Sequence, residues 1–452
     1  MQTIWADLVL TSDGWRSGVT LEIDRGRILR MKSDTSPAGY RAGLLLPAPA
    51  NGHSHAFQRA MAGLSEHRGP NKDSFWTWRS LMYRFLEHLT PEQVCNVAAY
   101  AQMEMLEAGF GASVEFHYLH HQQDGTPYTN LGEMSAQICV AAGESGIGLT
   151  LLPVHYQYGG CDRRPLSQGQ RRFGNTPDRF SRLVEDARGA LTCLPDDARI
   201  GVAPHSLRAV ATDDLTDIVA LADGGPVHMH LAEQLAEVEE VHAALGARPV
   251  SWALNNLALG ASWSLIHCTH MTARETTDLA ATGATVGLCP LTEANLGDGV
   301  FDGVRYLDAG GRFAIGSDSN IRISLSEELR QFETSQRLRD NSRAALATEV
   351  HTTGRRLLED AAAGGAQAAG RGSGRIEEGA YADLLALDAD HPDLAGLPGD
   401  AAIDTFVFAG GPEMVQDVWS AGRHLVQGGR HIRRNAITRA YKAAVLPLRA
   451  DL

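Results

Sequence analysis

From about residue 47 to residue 367, apolar β-rich runs alternate with helical patterns eight times. The runs are LLLPAPA (44–50), GASVEFHY (111–118), IGLTLLPV (147–154), RIGVAP (199–204), PVHMHL (226–231), SWSLIH (262–267), ATVGLCP (284–290) and RFAIGSD (312–318). Near-continuous apolar strands need cover on both faces, which a parallel sheet gains from its crossover helices. Eight strand–helix units favour a closed barrel over an open sheet. The clearest helix is TPEQVCNVAAYAQMEMLEAGFG. Thr90 suits its N-cap, Pro91 its first position, Gln93 completes a capping box, and Gly109 suits its end. The expected fold is α/β: a (β/α)8 TIM-like barrel.

Both ends of the chain read differently. ADLVLTSDG, GVTLEIDRG and RILRMKS at the start are short β-type runs between turn residues, as are YADLLALD, DTFVFAG, VQDVWSAG and RHLVQGG near the end. We therefore expect a small β-sandwich domain built from residues 1–46 and 368–452, interrupted by a catalytic barrel at 47–367. The Gly/Ala/Ser stretch at 361–374 reads as a helix end and a linker. A net charge of −14 argues against nucleic-acid or membrane-surface partners, which require a basic face. An anionic substrate would need a local arginine clamp. The N-terminus lacks a basic segment followed by a long apolar one, so no signal peptide is expected. Six scattered cysteines without a CxxC pair read as reduced thiols, and the expected compartment is the cytoplasm.

A barrel carries its active site at the C-terminal ends of its strands. There the sequence places His53 and His55; Glu115, His117 and Tyr118; His155; His205 and Arg208; His228, His230 and Glu233; His267 and His270; Glu293 and Asn295; and Asp318. Imidazole at six of eight equivalent positions is more than stability alone explains. Residues i and i+2 of a strand share a face, so His53 and His55 can point at one ion. Neutral imidazole with carboxylate suits zinc, and a catalytic zinc keeps a position open for water.

HSH (53–55), HLAE (230–233), IHCTH (266–270), SDSN (317–320) and the tail GRIEEGAYADLLALD (374–388) together resemble the amidohydrolase superfamily. Within it, HSHAFQRAMAGL, FWTWRSLMYRF, EFHYLHH, APHSLRAV and HMHLAEQ resemble the formimidoylglutamate deiminase family. The resemblance implies metal ligands His53, His55, His230 and Asp318. It implies catalytic roles for Glu233, His267 and Asp318, and substrate contacts from Gln58, Arg79, Tyr118, His205 and Arg208. Arg79, Tyr118 and Arg208 are expected toward the substrate carboxylates, with Gln58 and His205 nearer the formimino end. The reaction implied is zinc-dependent hydrolysis of N-formimidoyl-L-glutamate, a small dicarboxylate, to N-formyl-L-glutamate and ammonia in histidine degradation, by a homodimer. Lysine occurs only at 32, 72 and 442, none on an expected barrel strand. That excludes a lysine-bridged metal pair and favours one Zn2+ per subunit, with other divalent ions and a carboxylate bridge as lesser alternatives.

Plainer readings stand beside these. His228 shares a face with His230, and only the HLAE context favours His230; His228 is expected to be a buried, hydrogen-bonded residue. His117, His120 and His121 suit packing or surface, His270 a helix start, and Trp76 and Trp78 core or interface anchors. Arg79 could pair with a neighbouring acid. Glu237, Glu239 and Glu240 read as a solvated helix face. Nothing marks Cys268 or Cys289 as a nucleophile. Two other functions compete: an aminohydrolase acting on a purine, pyrimidine or triazine ring, and a catalytically silent scaffold.

Overall fold

Eight parallel strands close a barrel in the computed structural model, which describes residues 1–67 and 75–450. They are Ala50–Ser54, Ala112–His117, Gly148–His155, the split pair Arg199–Ile200 and Ala203–Pro204, Val227–Leu231, Trp263–His267, Thr285–Leu288 and Arg312–Ile315. Neighbours pair in parallel from the first to the fourth and from the fifth to the eighth. Two parallel bridges join these halves, Val202 with Val227 and Ser54 with Asp318. The second bridge matters for function because it sets Asp318 beside the HSH segment.

The run LLLPAPA is not one barrel strand. Tyr40–Pro47 pairs with Gln2–Thr11 and Leu384–Leu387 in a separate sheet, and the barrel strand begins only at Ala50. Pro47 and Pro49 lack the N–H that a continuous ladder needs, so the chain changes sheets there. His53 consequently lies within the first barrel strand. DTFVFAG is a second correction: it falls in and just beyond the helix Gly399–Phe408. Ala402, Ile403, Phe406 and Val407 are its buried residues, a spacing of one helical face.

Strands from both chain ends form one continuous eight-stranded sheet. It has its own core, which includes Ile4, Val9, Leu21, Leu45, Leu384 and Trp419. A buried ion network fastens it to the barrel. Arg371 donates to Asp383 and Asp197 at 2.7 Å each, and Arg423 reaches Asp197 at 2.7 Å. Asp197 precedes the fourth barrel strand, so this contact occupies the rim opposite the histidines.

The helix Pro91–Glu107 has the Thr90–Gln93 capping box. The helix Thr353–Ala368 ends inside the small-residue stretch expected to be a helix end and linker. Its glycines permit close approach to the barrel: a Cβ on Gly364 would strike the Phe313 carbonyl, and one on Gly365 would lie 2.7 Å from that of Ala50. Among the described residues, no helix is long and apolar enough to cross a membrane.

Candidate metal centre and active site

Four side chains converge where the first, fifth and eighth strands meet. His53, His55, His230 and Asp318 each offer one ligand atom, all within 4.8 Å of one another, and all four are buried. Asp318 Oδ1 lies 3.2 Å from His55 Nε2 and 3.5 Å from His53 Nε2. His53 Nε2 and His230 Nε2 are 3.1 Å apart. Burial lowers all three histidines, His55 to about 3, and their mutual proximity lowers His53 and His230 further. They are therefore neutral, with lone pairs to give.

The opposite ring nitrogens fix the tautomers. His55 Nδ1 lies 2.9 Å from the Phe116 carbonyl, and His230 Nδ1 3.3 Å from that of His205. Each must donate there, leaving Nε2 as the ligand atom. Three imidazoles and a carboxylate with no other use for their inward atoms suit a divalent metal ion. No barrel strand carries a lysine. His228 donates instead to the Ala368 carbonyl at 2.8 Å if Nε2 holds its proton.

The flanking residues of the motifs hold this geometry. Asn51 Nδ2 donates to Ser317 Oγ at 2.6 Å, and Ser317 Oγ donates to Asn320 Oδ1 at 2.6 Å. Asn320 Nδ2 donates in turn to the carbonyls of His55 and Asp318, 3.1 Å each. SDSN thus staples the eighth strand end to the first. Ala232, His267, Cys268, Asp318 and Asn320 all have positive φ, between 44° and 72°. Such non-glycine backbone is costly, and concentrating it at three strand ends aims side chains inward.

Glu233 and His267 stand against the metal cluster. His267 Nε2 lies 3.8 Å from Glu233 Oε1 and 3.9 Å from Asp318 Oδ2, and its Nδ1 is 3.2 Å from Glu293 Oε1. Burial would lower His267, but Glu233, Glu293 and Asp318 raise it well above its ordinary range. Burial lifts Glu233 and brings Asp318 to about 7. Asp298, held by Gln234, joins Glu233 and His267 and is pushed up to about 9, chiefly by burial. Cys289 lies near His267 and Asp318, but burial and nearby carboxylates raise its thiol well above the ordinary value.

A cavity opens over these groups. Gln58, Arg79, Tyr118, His205 and Arg208 all line it, together with His55, His230, Glu233, His267 and Asp318. Gln58 Nε2 donates to Tyr118 Oη at 2.9 Å, and the Tyr118 ring packs 5.0 Å from that of His55. Arg79 comes from the helix Phe75–Leu86 and donates to Tyr156 Oη at 2.9 Å. Trp78 also lines the cavity. The side chain of Trp76 lies outside the described residues.

The amidohydrolase family model matches residues 44–425. The chain belongs to the amidohydrolase family. It is 44% identical to formimidoylglutamate deiminase of Pseudomonas aeruginosa over 98% of both chains. It is 26% identical to a 5-methylthioadenosine/S-adenosylhomocysteine deaminase of Natronomonas pharaonis, over 90% of this chain and 85% of that one. The crystal structure of an amidohydrolase from Brucella melitensis superposes with a TM-score of 0.95 at 46% identity, covering 99% of this chain and all of that one. Atrazine chlorohydrolase of Arthrobacter aurescens, complexed with zinc, shares the fold with a TM-score of 0.82 at 20% identity, over 98% of this chain and 100% of that one.

This amidohydrolase site contains groups that sequence reasoning missed. Glu237 is not solvated: it is 1% exposed, and its carboxylate accepts the Glu233 N–H at 3.0 Å and the Ala232 N–H at 3.3 Å. Its position four residues after Glu233, at the start of the helix Leu235–Leu245, was the available signal. Tyr83, Tyr156, Met82, Phe173 and Leu296 complete the cavity wall without any spacing pattern. His270 precedes the Thr272 N-cap by two residues, so it lies outside the helix.

Proposed function

We propose that this amidohydrolase catalyses the zinc-dependent hydrolytic deimination of N-formimidoyl-L-glutamate to N-formyl-L-glutamate and ammonia in histidine degradation. The observation that carries this reading is that Arg79 and Arg208 line the same cavity as the metal-ligand set. Two guanidinium groups suit a dicarboxylate and are poorly used by an uncharged ring. The 44% identity to the Pseudomonas aeruginosa deiminase points the same way. The absence of a barrel-strand lysine favours one zinc ion per subunit, the scattered cysteines without a CxxC pair suit the cytoplasm, and the resemblance implies a homodimer. The net charge of −14 gives no support to nucleic-acid or membrane partners.

His53, His55, His230 and Asp318 are suited to hold the ion. When bound, zinc lowers the pKa of its water to about 7. Arg79 and Arg208 anchor the carboxylates, which orients the formimino carbon over the cluster. Gln58 Oε1 is buried without a partner among the described residues, so it can accept a formimino N–H. Asp318 Oδ2 takes the proton of the attacking water. His267 Nε2 donates to the oxygen as negative charge grows on it. Glu233 relays the proton taken from the water to the departing nitrogen of the protonated formimino group; as the C–N bond breaks, the added hydroxyl becomes the formyl carbonyl and gives its remaining proton to Asp318, and ammonia leaves.

The test is to incubate the zinc-loaded protein with N-formimidoyl-L-glutamate and quantify ammonia and N-formyl-L-glutamate. Equimolar release of both is expected. Ammonia from a nucleobase or triazine but not from this compound would move the site to the ring aminohydrolases. Turnover of no compound in either class would favour a silent scaffold.

A further inference from the structure

Tyr156 follows directly on the third barrel strand, Gly148–His155, and its side chain lines the cavity while only 2% of the residue is exposed. Its phenol oxygen receives two N–H donors, Arg79 Nη2 and Gln170 Nε2, both at 2.9 Å. A guanidinium can only donate. The Gln170 amide is also fixed: its Oε1 accepts the Ser167 N–H at 2.9 Å and the Ser167 hydroxyl at 2.8 Å. Its NH2 group therefore faces Tyr156. With two donors already on the oxygen, the phenol proton must point to a third partner. The rings of His205, 4.5 Å away between centroids, and Phe173, 5.7 Å away, flank the tyrosine. Tyr156 shares the lining of the cavity with Arg79 and Arg208, so a ligand bound there is the available third partner.

We propose that Tyr156 is a substrate-binding residue whose O–H donates to the carboxylate held by Arg79, with Gln170 and Arg79 fixing the direction of that donor. The assignment rests on the dicarboxylate reading above and sharpens it. One guanidinium and one phenol O–H, already joined to each other, form a preset pair of donors for one carboxylate group. Tyr156 thereby helps select a carboxylate over a neutral polar end, since a substrate without the acceptor leaves a buried hydroxyl unpaired.

Tyr156→Phe keeps the ring and removes only the donor. With N-formimidoyl-L-glutamate, KM should rise about 10- to 150-fold, the range for one hydrogen bond to a charged group, while kcat changes less than about threefold. Two truncated substrates locate the contact: N-formimidoyl-4-aminobutyrate lacks the α-carboxylate, and N-formimidoyl-2-aminobutyrate lacks the side-chain carboxylate. The penalty should disappear with the one that lacks the carboxylate bound by Tyr156 and persist with the other. An unchanged KM on the full substrate, with the wild type active, would overturn the assignment alone. So would an equal penalty on all three substrates, which would make the hydroxyl merely structural. A wild type that does not turn over N-formimidoyl-L-glutamate would overturn the functional reading, and this assignment with it.

Discussion

Glu237 offers the sharpest test of how the proposed proton carrier is held. Its carboxylate binds the backbone N–H groups of Ala232 and Glu233, and Ala232 sits in the left-handed region at φ 53°. Glu237→Gln preserves shape but replaces one acceptor oxygen by an NH2 group, so one of the two N–H groups loses its partner. A hydrogen bond to a charged group is worth about 1.5–3 kcal/mol. If that loss is felt only in the transition state, kcat falls about 10- to 150-fold with KM little changed. If it is felt in the folded state instead, the midpoint of thermal unfolding falls and kcat holds. The structure favours the first outcome, because the bond terminates on the backbone of Glu233 itself. The assay is steady-state ammonia release alongside thermal unfolding, with Glu239→Gln as control. Glu239 is exposed on the same helix, and its substitution makes the same charge change. Wild-type kcat in Glu237→Gln, or an equal loss in Glu239→Gln, would refute the positioning argument.

Arg208→Ala should raise KM for N-formimidoyl-L-glutamate roughly 30-fold or more, from about 2 kcal/mol for one partner of a buried charge contact, and unchanged affinity would remove Arg208 from the clamp. Chelation should abolish ammonia release and lower the unfolding midpoint. Zinc at 100 times its dissociation constant should restore about 2.7 kcal/mol, and an unaffected midpoint would contradict the four-residue ligand set. Glu115 accepts the Ala56 N–H at 2.8 Å, and burial pushes it to about 8. A folded pKa above the unfolded value means its stabilising contribution is full below about pH 4.5 and is lost as pH rises through 8. Across that window the wild type should lose up to about 1.4 kcal/mol per pH unit relative to Glu115→Gln, measured by denaturant unfolding, and parallel pH curves would refute the shift.

The barrel was legible because each of its strands is a short apolar run bounded by helix signals, and because imidazole recurs at their ends. Apolar character does not say which sheet a run joins, which is why LLLPAPA concealed two strands and the Pro47–Pro49 break between them. DTFVFAG misled for a similar reason, since a short apolar run fits a strand or a buried helix face. Glu237 reads from sequence as solvated because charge on a helix usually is, while in the fold it accepts backbone N–H groups from the preceding turn. Of the proposed metal ligands, His53 and His230 lie within their strands, His55 one residue past and Asp318 three residues past, and those positions are written in the sequence as HSH, HLAE and SDSN. The residues proposed to choose the substrate come from elsewhere: Arg79 from a helix, Gln58 from the turn Ala56–Met61, Tyr156 and Arg208 from segments past strand ends. Their meeting is a property of the closed barrel and leaves no local spacing to read. The two sets are joined mainly through neighbours such as Tyr118, which receives the Gln58 amide and packs on His55. Substitutions at Arg79 or Tyr156 should therefore alter which substrate is held while zinc affinity stays at the wild-type value, whereas Tyr118→Ala, which removes both the oxygen facing Gln58 and the ring against His55, should disturb both.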